Sequence, residues 1–76
     1  MIKKVLERLN EKQLNYCKTM SSLIARDREK GLKEQFEKDS GKLRGYLECM
    51  EDMEVIRNFE MRGLYLHFLS ENKNPI

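Results

Sequence analysis

The sequence contains a single proline, Pro75, which is the next-to-last residue of the chain. Because proline removes a helix hydrogen bond and clashes with the preceding turn, no position in residues 1–74 forbids a helix on this ground. Residues with high strand propensity are few and never alternate over more than a few positions, so a sheet is not expected. A chain of 76 residues makes at most one domain. We therefore predict a single all-α domain over residues 1–71.

Apolar residues in the first third of the chain recur at intervals of three and four, which forms one stripe of an amphipathic helix. They are Ile2, Val5, Leu6, Leu9, Tyr16, Cys17, Met20, Leu23 and Ile24. Gln13 occupies the one turn of this stripe that lacks an apolar residue. The pattern predicts a first helix over about residues 2–25.

The next apolar series keeps nearly a heptad spacing, which is typical of a helix that packs along a neighbour. It consists of Leu32, Phe36, Ser40, Leu43, Leu47, Met50 and Glu54, so that one small residue lies within the series and a charged one lies at its end. We predict a second helix over about residues 28–54, with Asp27 as its N-cap and with Lys30 and Gly31 in its first turn. Two helices of about 25 residues would form an antiparallel helical hairpin.

An alternative places the turn of this hairpin at Asp39-Ser40-Gly41, because these residue types favour turns. The first helix would then run to about residue 38, and the second would begin near Lys42. The apolar series keeps its phase across residues 36–43, which favours a continuous helix. An interior glycine costs about 1 kcal/mol relative to alanine, which favours the turn. The sequence leaves both turn positions open, one near residue 27 and one near residue 40.

A third segment follows an apolar corner at Val55 and Ile56. Asn58 is a suitable N-cap, and Glu60 is favourable in a first turn. Apolar residues then recur at helical spacing at Met61, Leu64, Tyr65 and Phe68. We predict a shorter third helix over about residues 58–70 that closes the hairpin into a three-helix bundle-like fold. One uninterrupted helix over residues 42–70 is the alternative, and residues 72–76 are expected to be a disordered tail.

Residues that carry enzyme chemistry are sparse in this chain. His67 is the single histidine, and the sequence assigns it no nucleophile or orienting carboxylate. Cys17, Cys49 and His67 include no CxxC or HxxxH pair, and we interpret both cysteines as reduced, half-buried apolar residues. The four glycines are scattered and form no phosphate-binding loop. We predict a protein that is not an enzyme, with no metal, no cofactor and no small-molecule ligand.

Charged residues make up 37% of the chain, and no uncharged stretch approaches the roughly 20 residues that span a bilayer. Glu7 and Arg8 interrupt any apolar region near the N terminus, so a signal peptide is not expected. These features predict a cytoplasmic protein without a membrane partner.

The third predicted helix is apolar on nearly all sides. Two neighbouring helices can cover one side of it, and the other side then needs a protein partner or a second copy of the chain. An acidic run with a net charge of −4 over residues 46–60 could face a basic partner, although a solvated helix face also accounts for it. The predicted partner-binding residues are Met61, Leu64, Tyr65, Phe68, Glu48, Glu51 and Asp52.

Residues 26–44 contain seven bases and five acids, which alternate as they do on an exposed helix. A dedicated DNA-binding protein would have a cleaner basic face and an isoelectric point above the value of 8.6 found here. A small nucleic-acid-binding regulator is therefore an alternative that is not favoured. Its contact residues would be Arg26, Arg28, Lys30, Lys33, Lys38, Lys42 and Arg44. A structural homo-oligomer is a third possibility.

The segment KLRGYLECMEDMEVIRNFEMRGLYLHFL, residues 42–69, resembles the C-terminal half of small helical proteins from bacterial phages and integrative elements. Those proteins often end in a helix, an apolar corner and a closing helix opened by an acidic residue. Here Val55-Ile56 matches the corner, although Glu54 stands where such corners usually carry glycine. Some small mobile-element proteins, anti-CRISPR proteins among them, inhibit host defence nucleases stoichiometrically. The resemblance implies an inhibitor or modulator of a host protein or nucleoprotein complex.

Overall fold

A computed structural model describes residues 2–70, which form four α-helices and no strand. They are α1 (Ile2–Glu7), α2 (Glu11–Glu29), α3 (Lys33–Asp52) and α4 (Asn58–Ser70). The predicted all-α class is confirmed. The three longer helices pack on one another, and α1 packs on α4. None of these helices is long and apolar enough to cross a bilayer. The predicted tail, residues 72–76, lies outside the described residues.

The prediction of one helix over residues 2–25 is wrong, because Asn10 begins a new helix. Its backbone is extended, with φ −78° and ψ 174°, and its side-chain oxygen accepts a hydrogen bond from the Gln13 amide at 2.8 Å. The Gln13 side-chain oxygen in turn accepts a bond from the Asn10 amide at 2.9 Å. This capping box satisfies two amide groups that a helix start would otherwise leave unpaired. Gln13 is therefore a capping residue rather than a gap in an apolar stripe.

The chain reverses between α2 and α3 at residues 30–32. Gly31 has a φ of +68°, its amide donates to the Arg28 carbonyl at 3.2 Å, and the Leu32 amide donates to the Asp27 carbonyl at 2.8 Å. This is the Schellman motif, in which a left-handed residue ends a helix. Asp27 therefore lies inside α2 and is not an N-cap, and Lys30 and Gly31 form the turn rather than the first turn of a helix.

α3 continues without a break through residues 39–41. The alternative turn at that position is therefore wrong, and the turn lies close to the one expected near residue 27. Gly41 and Gly45 are exposed, and a Cβ atom on either would meet nothing within 4 Å. The predicted architecture of two long helices and a shorter third is corrected to four helices.

A second Schellman motif separates α3 from α4, so the alternative of one helix over residues 42–70 is wrong. Glu54 has the left-handed φ of +63°, its amide donates to the Glu51 carbonyl at 2.9 Å, and the Val55 amide donates to the Met50 carbonyl at 2.9 Å. α4 has the bounds that the sequence predicts. The Met61 amide donates to the carbonyl of Arg57, so Arg57 rather than Asn58 occupies the N-cap position.

The core lies where α2, α3 and α4 meet, and α1 contributes to one end of it. Its buried apolar residues are Val5, Leu9, Cys17, Met20, Ile24, Leu43, Leu47, Met50, Ile56, Met61, Leu64 and Phe68. At the end of α4, the Ser21 hydroxyl donates to the Phe68 carbonyl at 2.6 Å, and Arg28 donates to the Leu69 carbonyl at 2.7 Å. These bonds satisfy two carbonyls that a helix end leaves without partners and connect α2 to α4.

The two cysteines differ in environment, which corrects the prediction that both are half-buried. Cys17 is buried and Cys49 is exposed. In the α2–α3 interface, the Tyr16 and Tyr46 rings pack with their centroids 4.2 Å apart. The turn at residues 30–32 sets this register and pairs residue 16 with residue 46.

Candidate protein-binding groove

The apolar side chains of α4 divide into a buried set and an exposed set. Leu64 and Phe68 belong to the core, which corrects the prediction that they face a partner, whereas Met61 is a core residue that keeps 8% of its surface exposed. The chain covers them itself, because α4 contacts each of the other three helices. The large apolar side chains that α4 exposes are Phe59, at 58%, and Leu66, at 64%.

An open groove with a volume of about 420 Å³ lies between α3 and α4, and we call it the α3–α4 groove. The α3 side is lined by Arg44, Glu48 and Glu51. The α4 side is lined by Asn58, Met61, Arg62, Tyr65 and Leu66.

The groove brings together part of the predicted partner-binding set. Glu48, Glu51, Met61 and Tyr65 all line it. Asp52 is exposed at the C-terminal end of α3, outside the groove lining, and Leu64 and Phe68 point into the core. Sequence reasoning missed Leu66. Its sequence signal is its position seven residues after Phe59, since this spacing places both side chains on one face of a helix.

The floor of the groove is apolar and its rim is charged. Met61 is buried and Tyr65 is half-buried, so the small exposed parts of these two side chains form the floor of the groove. On the rim, the Arg44 Nε and Glu48 Oε2 atoms lie 3.3 Å apart in an exposed pair. The Asn58 side-chain amide donates to Glu51 at 3.1 Å. Exposed ion pairs of this kind contribute little to stability, so these side chains can exchange partners at small cost.

The C-terminal end of α3 concentrates negative charge. Its last turn contains Glu51 and Asp52 but no basic residue. A helix C-terminus already carries a partial negative charge, so acids there are unfavourable and a cation would be favourable. In the described part of the chain, neither Asp52 nor Glu54 takes part in an ion pair.

A second cavity, with a volume of about 510 Å³, adjoins the groove at this acidic end. It is lined by Glu51, Glu54, Ile56, Arg57 and Asn58 and shares Glu51 and Asn58 with the groove. Glu54 lines it while holding the left-handed conformation, which costs roughly 1–2 kcal/mol for a residue other than glycine. Backbone strain of this kind is often found at functional sites.

The seven bases of the nucleic-acid alternative are all exposed, but they form no single basic face. Three of them have contacts within the chain: Arg26 with Asp27, Arg44 with Glu48, and Arg28 with the Leu69 carbonyl and the face of the Phe36 ring. Lys38 and Lys42 lie one turn apart on α3, whereas Lys33 projects from another side of that helix. The structure therefore does not gather these residues into one surface.

The structure also reveals two buried carboxyl groups that sequence reasoning missed. Asp27 on α2 is fully buried, and Asp39 on α3 is 8% exposed. The sequence carries a signal for both, because Asp27 follows Ile24 by three residues and Asp39 precedes Leu43 by four, which places each acid on an apolar stripe. Within residues 2–70, no group of three or more metal-binding side chains surrounds them or any other point.

Comparison of the chain with protein-family models, with curated proteins and with solved structures found no match.

Proposed function

We propose that this chain is a non-enzymatic binding module whose α3–α4 groove receives an amphipathic helix of a partner protein. The observation that carries the proposal is the apolar floor of the groove, Met61 and Tyr65, beside the exposed Leu66. An amphipathic helix laid into such a groove buries its own apolar side chains against the floor. Burial of an exposed leucine contributes roughly 1.5–3 kcal/mol.

The groove lining has no net charge, because Arg44 and Arg62 balance Glu48 and Glu51. The C-terminal end of α3 is what favours a partner helix that carries lysine or arginine beside its apolar anchor. Glu51 and Glu54 lie at the acidic end, where α3 lacks a neutralising base. A cation of the partner placed there would interact with both carboxylates and with the helix C-terminus. It would thus supply the charge that the α3 terminus does not have.

The strained conformation of Glu54 supports the same end of the groove. Glycine would hold φ of +63° without strain, so a glutamate at this position is unfavourable for the fold. Its carboxylate lines the cavity that continues the groove. A role of this carboxylate in partner binding accounts for a residue that stability alone would not select.

The resemblance of residues 42–69 to small phage and integrative-element proteins supports a narrower form of the proposal. In this form the partner is a host protein or nucleoprotein complex, which the module inhibits or modulates by stoichiometric binding.

Affinity capture with groove variants tests the proposal. Tagged wild type, Leu66→Asp and Glu51→Lys are incubated with untreated and with nuclease-treated lysate of the source cell, and the retained proteins are quantified by mass spectrometry. We expect wild type to retain one protein in near-stoichiometric amount. Both variants should retain at least about tenfold less of that protein, since each change removes more than about 1.4 kcal/mol of binding free energy.

Leu32→Asp is the matched control, because Leu32 is also an exposed leucine but lies at the turn between α2 and α3. It should capture the partner like wild type, and circular dichroism should show equal helicity in all four proteins. Equal capture by Leu66→Asp would refute the groove as the binding site. Recovery of the bait alone, with an unfolding midpoint that rises with protein concentration, would instead support a homo-oligomer. Partners that disappear on nuclease treatment would support nucleic-acid binding.

A further inference from the structure

Asp27 and Asp39 bring two carboxyl groups together inside the α2–α3 interface. Asp27 is fully buried in the last turn of α2, Asp39 is nearly so in the second turn of α3, and the two side chains lie within hydrogen-bonding reach of each other. Acids of this kind are almost never buried unless they are paired. Their burial therefore requires a physical explanation.

The hydrogen bonding of Asp27 is incomplete if both groups are ionised. Its Oδ1 atom lies 3.3 Å from the Arg26 guanidinium, but its buried Oδ2 atom has no donor. An ionised carboxylate can only accept hydrogen bonds, so an ionised Asp39 cannot supply the missing donor. A protonated Asp39 can, because a carboxylic acid has an O–H group.

We propose that Asp27 and Asp39 share one proton in the folded protein, and that this proton holds α2 and α3 together beside their turn. It converts a repulsion between two buried negative charges into a hydrogen bond. The proton comes from solvent when the chain folds and returns to it when Asp39 ionises, so the interface acts as a pH-sensitive latch. This inference is independent of the α3–α4 groove.

The charged groups around Asp39 define how it titrates. The pKa of Asp39 is raised above its ordinary value, first by the hydrogen bond with Asp27, then by burial, and then by the Asp27 charge. Arg26 on α2 and Lys42 on α3 act in the opposite direction. The net direction favours the proton.

The sign of the resulting pH dependence follows from linkage. An acid with a raised pKa in the folded state stabilises the fold fully below its unfolded value, about 3.9 for aspartate, and loses this contribution as pH rises through the folded value. Between the unfolded and the folded pKa of Asp39, the folding equilibrium constant should fall by up to about tenfold per pH unit. Ionisation should loosen the turn first, where Asp27 also lines a pocket of about 210 Å³ with Leu32 and Phe36.

Urea unfolding as a function of pH tests the latch. Wild type, Asp39→Asn and the matched control Asp52→Asn are compared between about pH 4 and about pH 8, in the presence of a chelator. The side-chain amide introduced by Asp39→Asn donates to Asp27 at every pH, so this variant should lose the fall in the folding constant that wild type shows. Asp52 is an exposed acid of the same helix, so its variant should keep the wild-type profile.

Carbon-13 NMR titration of the Asp39 side-chain carboxyl carbon in the wild type provides a readout that does not depend on how a variant folds. We expect Asp39 to titrate above its ordinary range and to move back toward that range in Asp27→Asn. Titration of Asp39 in the ordinary aspartate range, or identical pH profiles for wild type and Asp39→Asn, would overturn the proposal.

Discussion

At the scale of single residues, Phe68 and Leu66 lie two positions apart on α4 and have opposite environments. Phe68 is 1% exposed and Leu66 is 64% exposed. Both are large apolar residues in one apolar helix, and the neighbouring helices cover the side that carries Phe68 but not the side that carries Leu66. The Phe68 carbonyl also accepts a hydrogen bond from the Ser21 hydroxyl. The side of the helix therefore decides whether an apolar residue builds the core or remains available to a partner.

Phe68→Ala should lower the free energy of unfolding by about 3–5 kcal/mol, because it removes a buried ring and leaves a cavity. That is comparable with the whole stability expected of so small a core, so we expect a largely unfolded variant. Leu66→Ala should stay within about 0.5 kcal/mol of wild type. Urea denaturation followed by circular dichroism measures both. A folded Phe68→Ala protein with unchanged stability would contradict this placement of α4.

The two thiols should differ in reactivity, since Cys49 is exposed and Cys17 is buried. A disulfide-exchange reagent should modify one thiol per chain rapidly in the native protein and the second only in denaturant. A Cys49→Ser variant should lose the rapid phase. Rapid reaction of both thiols in the native protein would show that the α2–α3 interface opens readily.

At the scale of helices and turns, two Schellman motifs end α2 and α3 with different residues. Gly31 and Glu54 both have left-handed backbones, with φ of +68° and +63°. Glycine adopts this conformation freely, whereas a residue with a Cβ atom is strained. The left-handed residue of this hydrogen-bond pattern therefore costs less conformational free energy at Gly31 than at Glu54.

Gly31→Ala should destabilise the protein by roughly 1 kcal/mol, and Glu54→Gly should stabilise it by a similar or smaller amount. Gly45→Ala is the control, because it replaces a glycine inside α3 with open space around it and should stabilise by about 0.5–1 kcal/mol. Thermal and urea unfolding measure all three changes. Destabilisation by Glu54→Gly would argue against strain at that corner.

Glu54→Gly also separates stability from binding. If the Glu54 carboxylate contacts a basic partner, as proposed, the variant should be more stable than wild type and yet capture the partner less well. Such an exchange of stability for function is common at binding sites. Unchanged capture by this variant would remove Glu54 from the proposed site.

At the scale of the whole molecule, a few polar contacts join helices that are distant in sequence. Arg8, just after α1, pairs with Glu60 at the start of α4, and Arg28 connects the end of α2 to the end of α4. The pKa of Glu60 is lowered, first by the hydrogen bond from the Arg57 amide and then by Arg8. Glu60 thus acts on pH dependence with the opposite sign to Asp39.

An acid with a lowered pKa stabilises the fold above its unfolded value and loses that contribution as pH falls through its folded value. Wild type should therefore lose stability in acid through Glu60 as well as toward neutral pH through Asp39. Glu60→Gln should weaken the acid loss and leave the change toward neutral pH intact. Urea midpoints across the pH range measure this, and an acid loss of equal size in both proteins would exclude Glu60 as a contributor.

Much of the helical pattern is local, and local patterns can be read from the sequence. The spacing of Met61, Leu64 and Phe68 predicts α4 with its observed bounds, and the phase of the apolar series predicts that α3 passes through residues 39–41. The break at Asn10 is also local, since an asparagine followed three residues later by glutamine can form a capping box. It was missed because the apolar stripe resumes on the far side of the break.

The candidate groove could be predicted only in part. Glu48, Glu51, Met61 and Tyr65 were identified from charge and apolar surplus, but Met61 turned out to form the floor, and Leu66 was not singled out. An all-round apolar helix does not reveal which side its neighbours cover. That depends on the directions in which the turns at Gly31 and Glu54 send the following helices.

The sequence by itself determined that the chain is helical, because periodicity, capping and the lack of interior proline act over a few neighbouring residues. Only the tertiary structure decided that Phe68 is core while Leu66 is surface, and that Asp27 meets Asp39. Those outcomes depend on contacts between residues far apart in the chain. The free energy of such contacts is set by packing and burial, which no local pattern specifies.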